Sequence, residues 1–151
     1  MSPFDQVKSH ISKTVPYARY TGVQIVSVAD GRGETLLPQQ DVTLNHIGSQ
    51  HAGALFTLGE AASGAAMAGG FLPVLASVRP VAANACIQYV RIAKGPIRAV
   101  ATLSKSVGLL IDQLNAADKV QFQVNVVMHD ESDSEVATMQ VDWHLSKVAG
   151  T

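Results

Sequence analysis

The chain has 151 residues, with 12 acidic and 11 basic side chains and a formal net charge of −1. This length suits one domain, and the balanced charge argues against a nucleic-acid or membrane-surface partner. A single cysteine, Cys86, excludes an internal disulfide and is typical of a reducing compartment. We therefore expect a single cytoplasmic domain over residues 1–151.

The N-terminal third predicts a short helix, a hairpin and a loop. Phe4, Val7 and Ile11 recur at helical spacing between two prolines, which predicts an amphipathic helix over about residues 3–14. Extended residues 23–28 and 34–37 flank turn-forming residues, which predicts a β-hairpin. Residues 39–50 are polar and without a sustained period, so we expect a loop.

The middle of the chain predicts a long buried helix. Residues 52–68 are small and apolar and are followed by Gly69 and Gly70, a pattern typical of a helix that ends there. Glu60 is the only ionisable side chain between Ala52 and Val78. Such a stretch is long enough to cross a bilayer, but its central carboxylate favours a helix enclosed within a globular domain.

The remaining chain predicts four strands, at residues 81–92, 97–107, 120–129 and 136–145. Phe122, Val124 and Val126 alternate with polar residues, so the last two strands should form a hairpin. The order of elements predicts an α+β domain with a helix on one face of an antiparallel sheet.

Glu60 is the first candidate for chemistry. A lone carboxylate on a buried helix is costly unless it is paired or protonated, so Glu60 should have a perturbed pKa or a specific partner. The structural alternative is a glutamate at a polar edge of the helix or one bonded to a structural arginine. The amides of Ala52 and Gly53, at the positive end of the helix, could bind a developing oxyanion, or the small residues could simply allow tight packing. Eight helical residues separate Ala52 from Glu60 by about 12 Å, too far to act on one carbonyl. Two copies with antiparallel helices would bring these groups together, which predicts at least a dimer.

Five residues carry a resemblance to a known family: Asn45, His51, Gly53, Glu60 and Gly64. Their order and spacing resemble the signature of hotdog-fold thioesterases of the phenylacetic-acid-degradation type, over about residues 15–146. The resemblance implies a hotdog fold, in which a curved antiparallel sheet wraps a long central helix, and a homodimer or homotetramer.

The resemblance also implies hydrolysis of an acyl-CoA thioester. In such an enzyme the Ala52 amide polarises the thioester carbonyl, and Asn45 places water or substrate. Glu60 of the facing subunit acts as base or nucleophile. The chain has Ala52 where the family often has glycine, and Glu60 where it often has aspartate. It has Ala82 or Ala83 where some members place a hydroxyl side chain on the following strand, which puts that auxiliary role in doubt.

Further residues have both a functional and a structural interpretation. His51 could orient the loop or the carboxylate, or could be structural. Arg91, Lys94 and Arg98 flank a turn near which related enzymes hold the nucleotide end of coenzyme A, and they could pair with its phosphates or be solvated cations. We expect no cofactor apart from the coenzyme A of the substrate.

No metal is expected either. The acidic run at residues 130–135 lacks the spacing of a calcium-binding loop, so a solvated turn is the expected structure. No Cys and His cluster has the spacing of a zinc site.

Two other functions stay open. His46 lies fourteen positions before Glu60, as in hotdog 3-hydroxyacyl dehydratases, although the residues that follow it do not match that family. A non-catalytic acyl-CoA-binding hotdog protein is the third possibility. For an acyl group we expect an apolar pocket lined by Leu55, Phe56, Met67 and residues 71–78.

Overall fold

The computed structural model describes residues 1–150, which form four α-helices and six β-strands. The helices are α1 (Pro3–Thr14), α2 (Pro16–Thr21), α3 (Ala52–Gly70) and α4 (Val107–Ala117). The strands are β1 (Gln24–Ala29), β2 (Arg32–Leu37), β3 (Val78–Tyr89), β4 (Ile97–Leu103), β5 (Lys119–His129) and β6 (Glu135–Lys147).

The six strands form one antiparallel sheet in the order β1-β2-β4-β5-β6-β3. The strand β3 lies at one edge and pairs only with β6, so one whole side of its twelve residues has no strand partner within residues 1–150. The predicted hairpin of the last two strands is confirmed, because Val124 faces Val141 in the β5–β6 register. Its alternation is confirmed too, since Phe122, Val124 and Val126 are buried.

The helix α3 packs on the sheet, mainly against β1, β2 and β4, and its sheet-facing residues Leu58, Ala62 and Ala66 are fully buried. The backbones of α3 and β2 approach closely at Gly33, which has no side chain. A Cβ atom there would lie 2.6 Å from the backbone oxygen of Ala62. The predicted buried central helix is confirmed, and no helix within residues 1–150 is long and apolar enough to cross a membrane.

Two helices were not predicted. Pro16 lies beyond the first helix, as expected, but it also begins α2, at a position where its missing N–H has no intrahelical partner to lose. The strand expected over residues 97–107 ends at Leu103, because Ser106 caps α4 by accepting from the Leu109 amide. The signal for α4 was this capping serine followed by Leu110 and Leu114, both fully buried, at helical spacing.

The helices α1 and α2 pack against β1 and α3. Ser2 and Asp5 form a capping box at the start of α1, with a 3.1 Å bond from the Asp5 amide to the Ser2 hydroxyl. The helix then buries Val7, and Gly22 ends α2 with φ 83°, a left-handed conformation that glycine adopts without strain. The pair α1–α2 lies over the part of α3 from Glu60 to Ala68.

Candidate active site

The side chain of Glu60 lines a cavity of about 360 Å³ between α3, the pair α1–α2, β1 and Trp143. The carboxylate is partly buried, and within residues 1–150 it has neither a hydrogen bond nor an ion pair. Burial raises the pKa of Glu60, because desolvation penalises the charged form. Glu60 therefore does not pair with a structural arginine within residues 1–150.

The turn of α3 around Glu60 is held by two hydrogen bonds. The indole N–H of Trp143 donates to the Ser63 hydroxyl at 3.0 Å, and that hydroxyl donates to the Glu60 carbonyl at 2.7 Å. Ser63 is fully buried, so these bonds tie the helix backbone to β6 in a low-dielectric surrounding. Sequence reasoning missed Ser63 and Trp143 because the pairing depends on the sheet packing.

The N-terminus of α3 differs from expectation at Gly53. The Gly53 amide donates to His51 Nδ1 at 2.8 Å, so the prediction that it is available to an oxyanion is wrong. His51 is the N-cap residue of α3. The Ala52 amide is exposed and has no acceptor among residues 1–150. The structure therefore narrows the candidate oxyanion donor to Ala52.

Replacing His51 tests its capping role. We expect His51→Ala to destabilise the protein by about 1 kcal/mol, because the Gly53 amide loses its acceptor. His51→Asn, which restores a capping oxygen, should recover most of that loss. Chemical denaturation of both variants measures the effect. A variant with unchanged stability and abolished activity would instead place His51 in the chemistry.

Asn45 organises the loop before α3. Its side-chain oxygen accepts from the amides of Ile47 at 3.1 Å and Ser49 at 3.0 Å, and its nitrogen donates to the Ser49 hydroxyl at 2.8 Å. Because its side-chain oxygen and nitrogen both form hydrogen bonds within the loop, Asn45 stabilises the loop conformation. The expectation that it places water or substrate gains no support from this geometry.

A groove of about 400 Å³ lies beside the start of α3 and is lined by Asn45, Ala52, Leu55, Tyr89 and Arg91, among others. The Tyr89 hydroxyl donates to the Ala52 carbonyl at 2.9 Å, and partial burial raises the pKa of that hydroxyl. Tyr89 was not predicted as a site residue, because its meeting with Ala52 depends on the packing of β3 beside α3.

The candidate groups thus fall into two places on one chain. Glu60 lines the cavity under α1–α2, whereas Ala52 lines the groove at the helix start, and no residue lines both. About 12 Å of helix separates them, from the rise per residue. Neither place alone combines a carboxylate with an unoccupied amide.

The three predicted phosphate-binding cations are not brought together. Arg91 lines the groove beside Ala52, whereas Arg98 lies in a different cleft, 3.6 Å from Asp133. That cleft also contains Asp130 and Glu131, whose charge disfavours a phosphate. Lys94 is exposed and lines neither cleft.

The acidic run forms a turn, in which the Asp130 side chain accepts from the amides of Ser132 and Ser134. Across residues 1–150, no group of three or more His, Cys, Asp or Glu side chains is arranged to hold a metal ion.

The residues expected to line an acyl pocket do not all line one cavity. Met67 lines the Glu60 cavity, and Leu75 represents the 71–78 segment. Leu55 instead lines the groove at the helix start, and Phe56 lies in neither place because it points to the exposed side of α3. His46 is exposed on the loop and does not line the Glu60 cavity, so one chain does not assemble the pair expected of a dehydratase.

A family model described as a domain of unknown function, DUF4442, matches residues 5–145. The chain belongs to the DUF4442 family. Among curated proteins, no sequence matches it.

Solved structures of similar fold cover nearly the whole family domain. A Pseudomonas aeruginosa protein described as a probable thioesterase is 25% identical, with a TM-score of 0.80 and 95% of each chain covered. The E. coli PaaI protein from the phenylacetic acid degradation operon is 17% identical, with a TM-score of 0.73 over 97% of this chain and 94% of its own. A putative thioesterase from Shewanella oneidensis is 14% identical, with a TM-score of 0.79 over 97% and 98%. The DUF4442 chain therefore has the hotdog fold, and the predicted fold class is confirmed.

Proposed function

We propose that the protein is a thioesterase that hydrolyses an acyl-CoA in a site shared between two subunits. The observation that carries the proposal is the state of Glu60, a carboxylate with a raised pKa on a cavity wall, without an ion pair or hydrogen bond within residues 1–150. Perturbed, unpaired carboxylates in cavities are typical of catalytic sites. The likeness to a probable thioesterase at 25% identity supports the same reaction class.

The shape of the subunit supports a dimer. The twelve-residue strand β3 has no strand partner on its outer side within residues 1–150, and long open edges pair readily with another strand. Apolar side chains lie exposed on or beside this strand at Val81, Tyr89, Val90 and Ile92. Pairing of β3 with its copy would bury these side chains and continue the sheet across a two-fold axis.

One stripe of α3 is only partly covered within one subunit. Gly53 and Phe56 are exposed, and Glu60, which is partly buried beside the α1–α2 pair, follows at helical spacing. Two such stripes packed antiparallel would place the Ala52 amide of one subunit near Glu60 of the other. This arrangement joins the two groups that a single chain keeps about 12 Å apart.

In this site the Ala52 N–H donates to the thioester carbonyl oxygen, and the helix dipole stabilises the negative charge that develops there. Glu60 of the other subunit removes a proton from the attacking water, or attacks the carbonyl itself to form an anhydride that water then cleaves. Either route releases the acid and the thiol. Arg91, in the groove beside Ala52, is the cation best placed to meet a phosphate of coenzyme A.

Thiol release from acyl-CoA substrates tests the proposal. The panel contains short, medium and long aliphatic thioesters and phenylacetyl-CoA, with Glu60→Gln as the matched inactive control. We expect turnover by the wild type on at least one thioester and a loss of about 10²-fold or more in the variant. Absence of turnover on the whole panel, with hydration of crotonyl-CoA, would replace hydrolysis by hydratase activity.

A further inference from the structure

We propose that the cavity between α1, α2 and α3 is an acyl-chain pocket for an unbranched aliphatic chain of about 8 to 10 carbons. This inference rests on the proposed thioester hydrolysis, since it places the reacting carbonyl at Glu60 and the chain beyond it. The cavity continues from Glu60 along α3 as far as Ala68 and Leu75. An occupant that reacts at Glu60 therefore has its remaining atoms under the α1–α2 pair.

The walls of this pocket are apolar. Small residues of α3 form its floor, at Ala61, Gly64, Ala65 and Ala68. The facing walls are formed by larger apolar side chains, namely Ile11, Val15, Val23, Ile25, Met67, Leu75 and Trp143. Burial of methylene groups against such walls is favourable by about 0.8 kcal/mol each.

The two hydroxyl side chains of the wall donate to carbonyls of α1. The Ser12 hydroxyl donates to the Lys8 carbonyl at 2.7 Å, and the Thr14 hydroxyl donates to the His10 carbonyl at 3.0 Å. Arg19 donates to the Lys13 carbonyl at 3.2 Å, and both Arg19 and His10 are exposed at the solvent side. The wall away from Glu60 thus offers little hydrogen bonding to a polar acyl group, which favours a plain hydrocarbon.

The length of the cavity along α3 sets the expected chain length. Glu60 and Ala68 are eight residues apart on α3, which corresponds to about 12 Å along the helix. A zigzag hydrocarbon advances roughly 1.3 Å per carbon from its bond length, so about nine carbons span this distance.

Trp143 provides a binding measurement that does not depend on turnover, because it is the only tryptophan of the chain and lines the pocket. Its fluorescence is followed during titration with butyrate, octanoate, decanoate, palmitate and phenylacetate. We expect saturable changes with octanoate and decanoate, at affinities at least tenfold above that of butyrate. Absence of a saturable change, or equal affinity for all five acids, would overturn the inference.

Two pocket variants change the size in opposite directions. Ala18 is buried on α2 in the pocket wall, so Ala18→Leu should shorten the preferred chain by about two to four carbons. Leu75→Ala removes wall volume and should lengthen the preferred chain. Ala116→Leu, on the exposed side of α4, is the matched control and should leave the preference unchanged. Circular dichroism confirms the fold of each variant, and Leu75→Ala keeps the test decisive if Ala18→Leu does not fold.

The chain-length profile is measured both for binding and for thiol release. Thiol release with a profile that neither pocket variant changes would overturn this inference and leave the proposed function intact. Tight binding of octanoate and decanoate without any thiol release would support the pocket and contradict the proposed hydrolysis.

Discussion

Glu60→Gln should lower kcat for thioester hydrolysis by about 10²- to 10⁴-fold while the fold and the oligomeric state persist. The amide has nearly the shape of the carboxylate but can neither accept a proton from water nor attack a carbonyl. Because no hydrogen bond or ion pair within residues 1–150 depends on the Glu60 carboxylate, its replacement breaks no structural contact. Glu60→Asp, which keeps the charge on a shorter side chain, is the matched control and should retain part of the activity.

The pH dependence of the wild type follows from the same carboxylate. Burial raises the pKa of Glu60, and hydrolysis requires the deprotonated form. Activity should therefore rise with pH through a midpoint above the ordinary range of a glutamic acid. A midpoint within the ordinary range, or no loss of activity in Glu60→Gln, would contradict the assigned role.

The pH dependence of folding stability tests the raised pKa of Glu60 independently of activity. A raised pKa means that the folded state favours the protonated form, so the stability contributed by protonated Glu60 is present at low pH and is lost as pH rises through that pKa. At neutral pH, Glu60→Gln should be more stable than the wild type, because it removes a desolvated charge. The difference should shrink as the pH falls through the raised pKa and should be gone below the ordinary glutamic acid pKa. Thermal melts of both proteins across this range measure it.

Ala52→Pro should lower kcat by about 10²- to 10³-fold, the usual effect of removing one oxyanion donor. Proline lacks the N–H but fits the first position of a helix, where Ala52 lies. The preceding residue, His51, already has an extended backbone with φ −65° and ψ 141°, as a residue before proline requires. The substitution therefore removes the amide donor from the site, and we expect little change to the backbone of α3.

The control for this variant is Ala52→Ser, which keeps the amide and adds a side chain of small size. We expect near-normal kcat for Ala52→Ser and near-normal melting temperatures for both variants. Equal losses in the two variants would indicate a steric effect at the helix start and would remove Ala52 from the mechanism.

Much of the fold was predictable from local pattern. The apolar run ending in Gly69 and Gly70 identified α3, and alternation identified the hairpin of β5 and β6. The missed elements have physical explanations. The short α2 depends on packing against α3 more than on its own six residues, and α4 was signalled by the cap at Ser106.

Part of the candidate site was also predictable from the sequence, and part depends on the fold. Glu60 stood out because a charge within an apolar run is visible in sequence, and its raised pKa was anticipated from burial. The hydrogen bonds that engage Gly53 and Asn45 depend on three-dimensional geometry, so their amides could not be assigned from residue type. Tyr89 and Trp143 reach α3 from β3 and β6, a meeting that depends on sheet topology.

In the proposed enzyme, Ala52 of one subunit and Glu60 of the other form one site, and a mixed dimer tests this arrangement. Ala52→Pro and Glu60→Gln chains carrying different affinity tags are co-expressed, and the heterodimer is isolated by two successive purifications. If each active site takes Ala52 from one subunit and Glu60 from the other, one of the two sites in this heterodimer has both an intact Ala52 amide and an intact Glu60. We predict about half of the wild-type activity per dimer, far above either parent homodimer. A heterodimer as inactive as its parents would show that each site lies within one chain and would contradict the account.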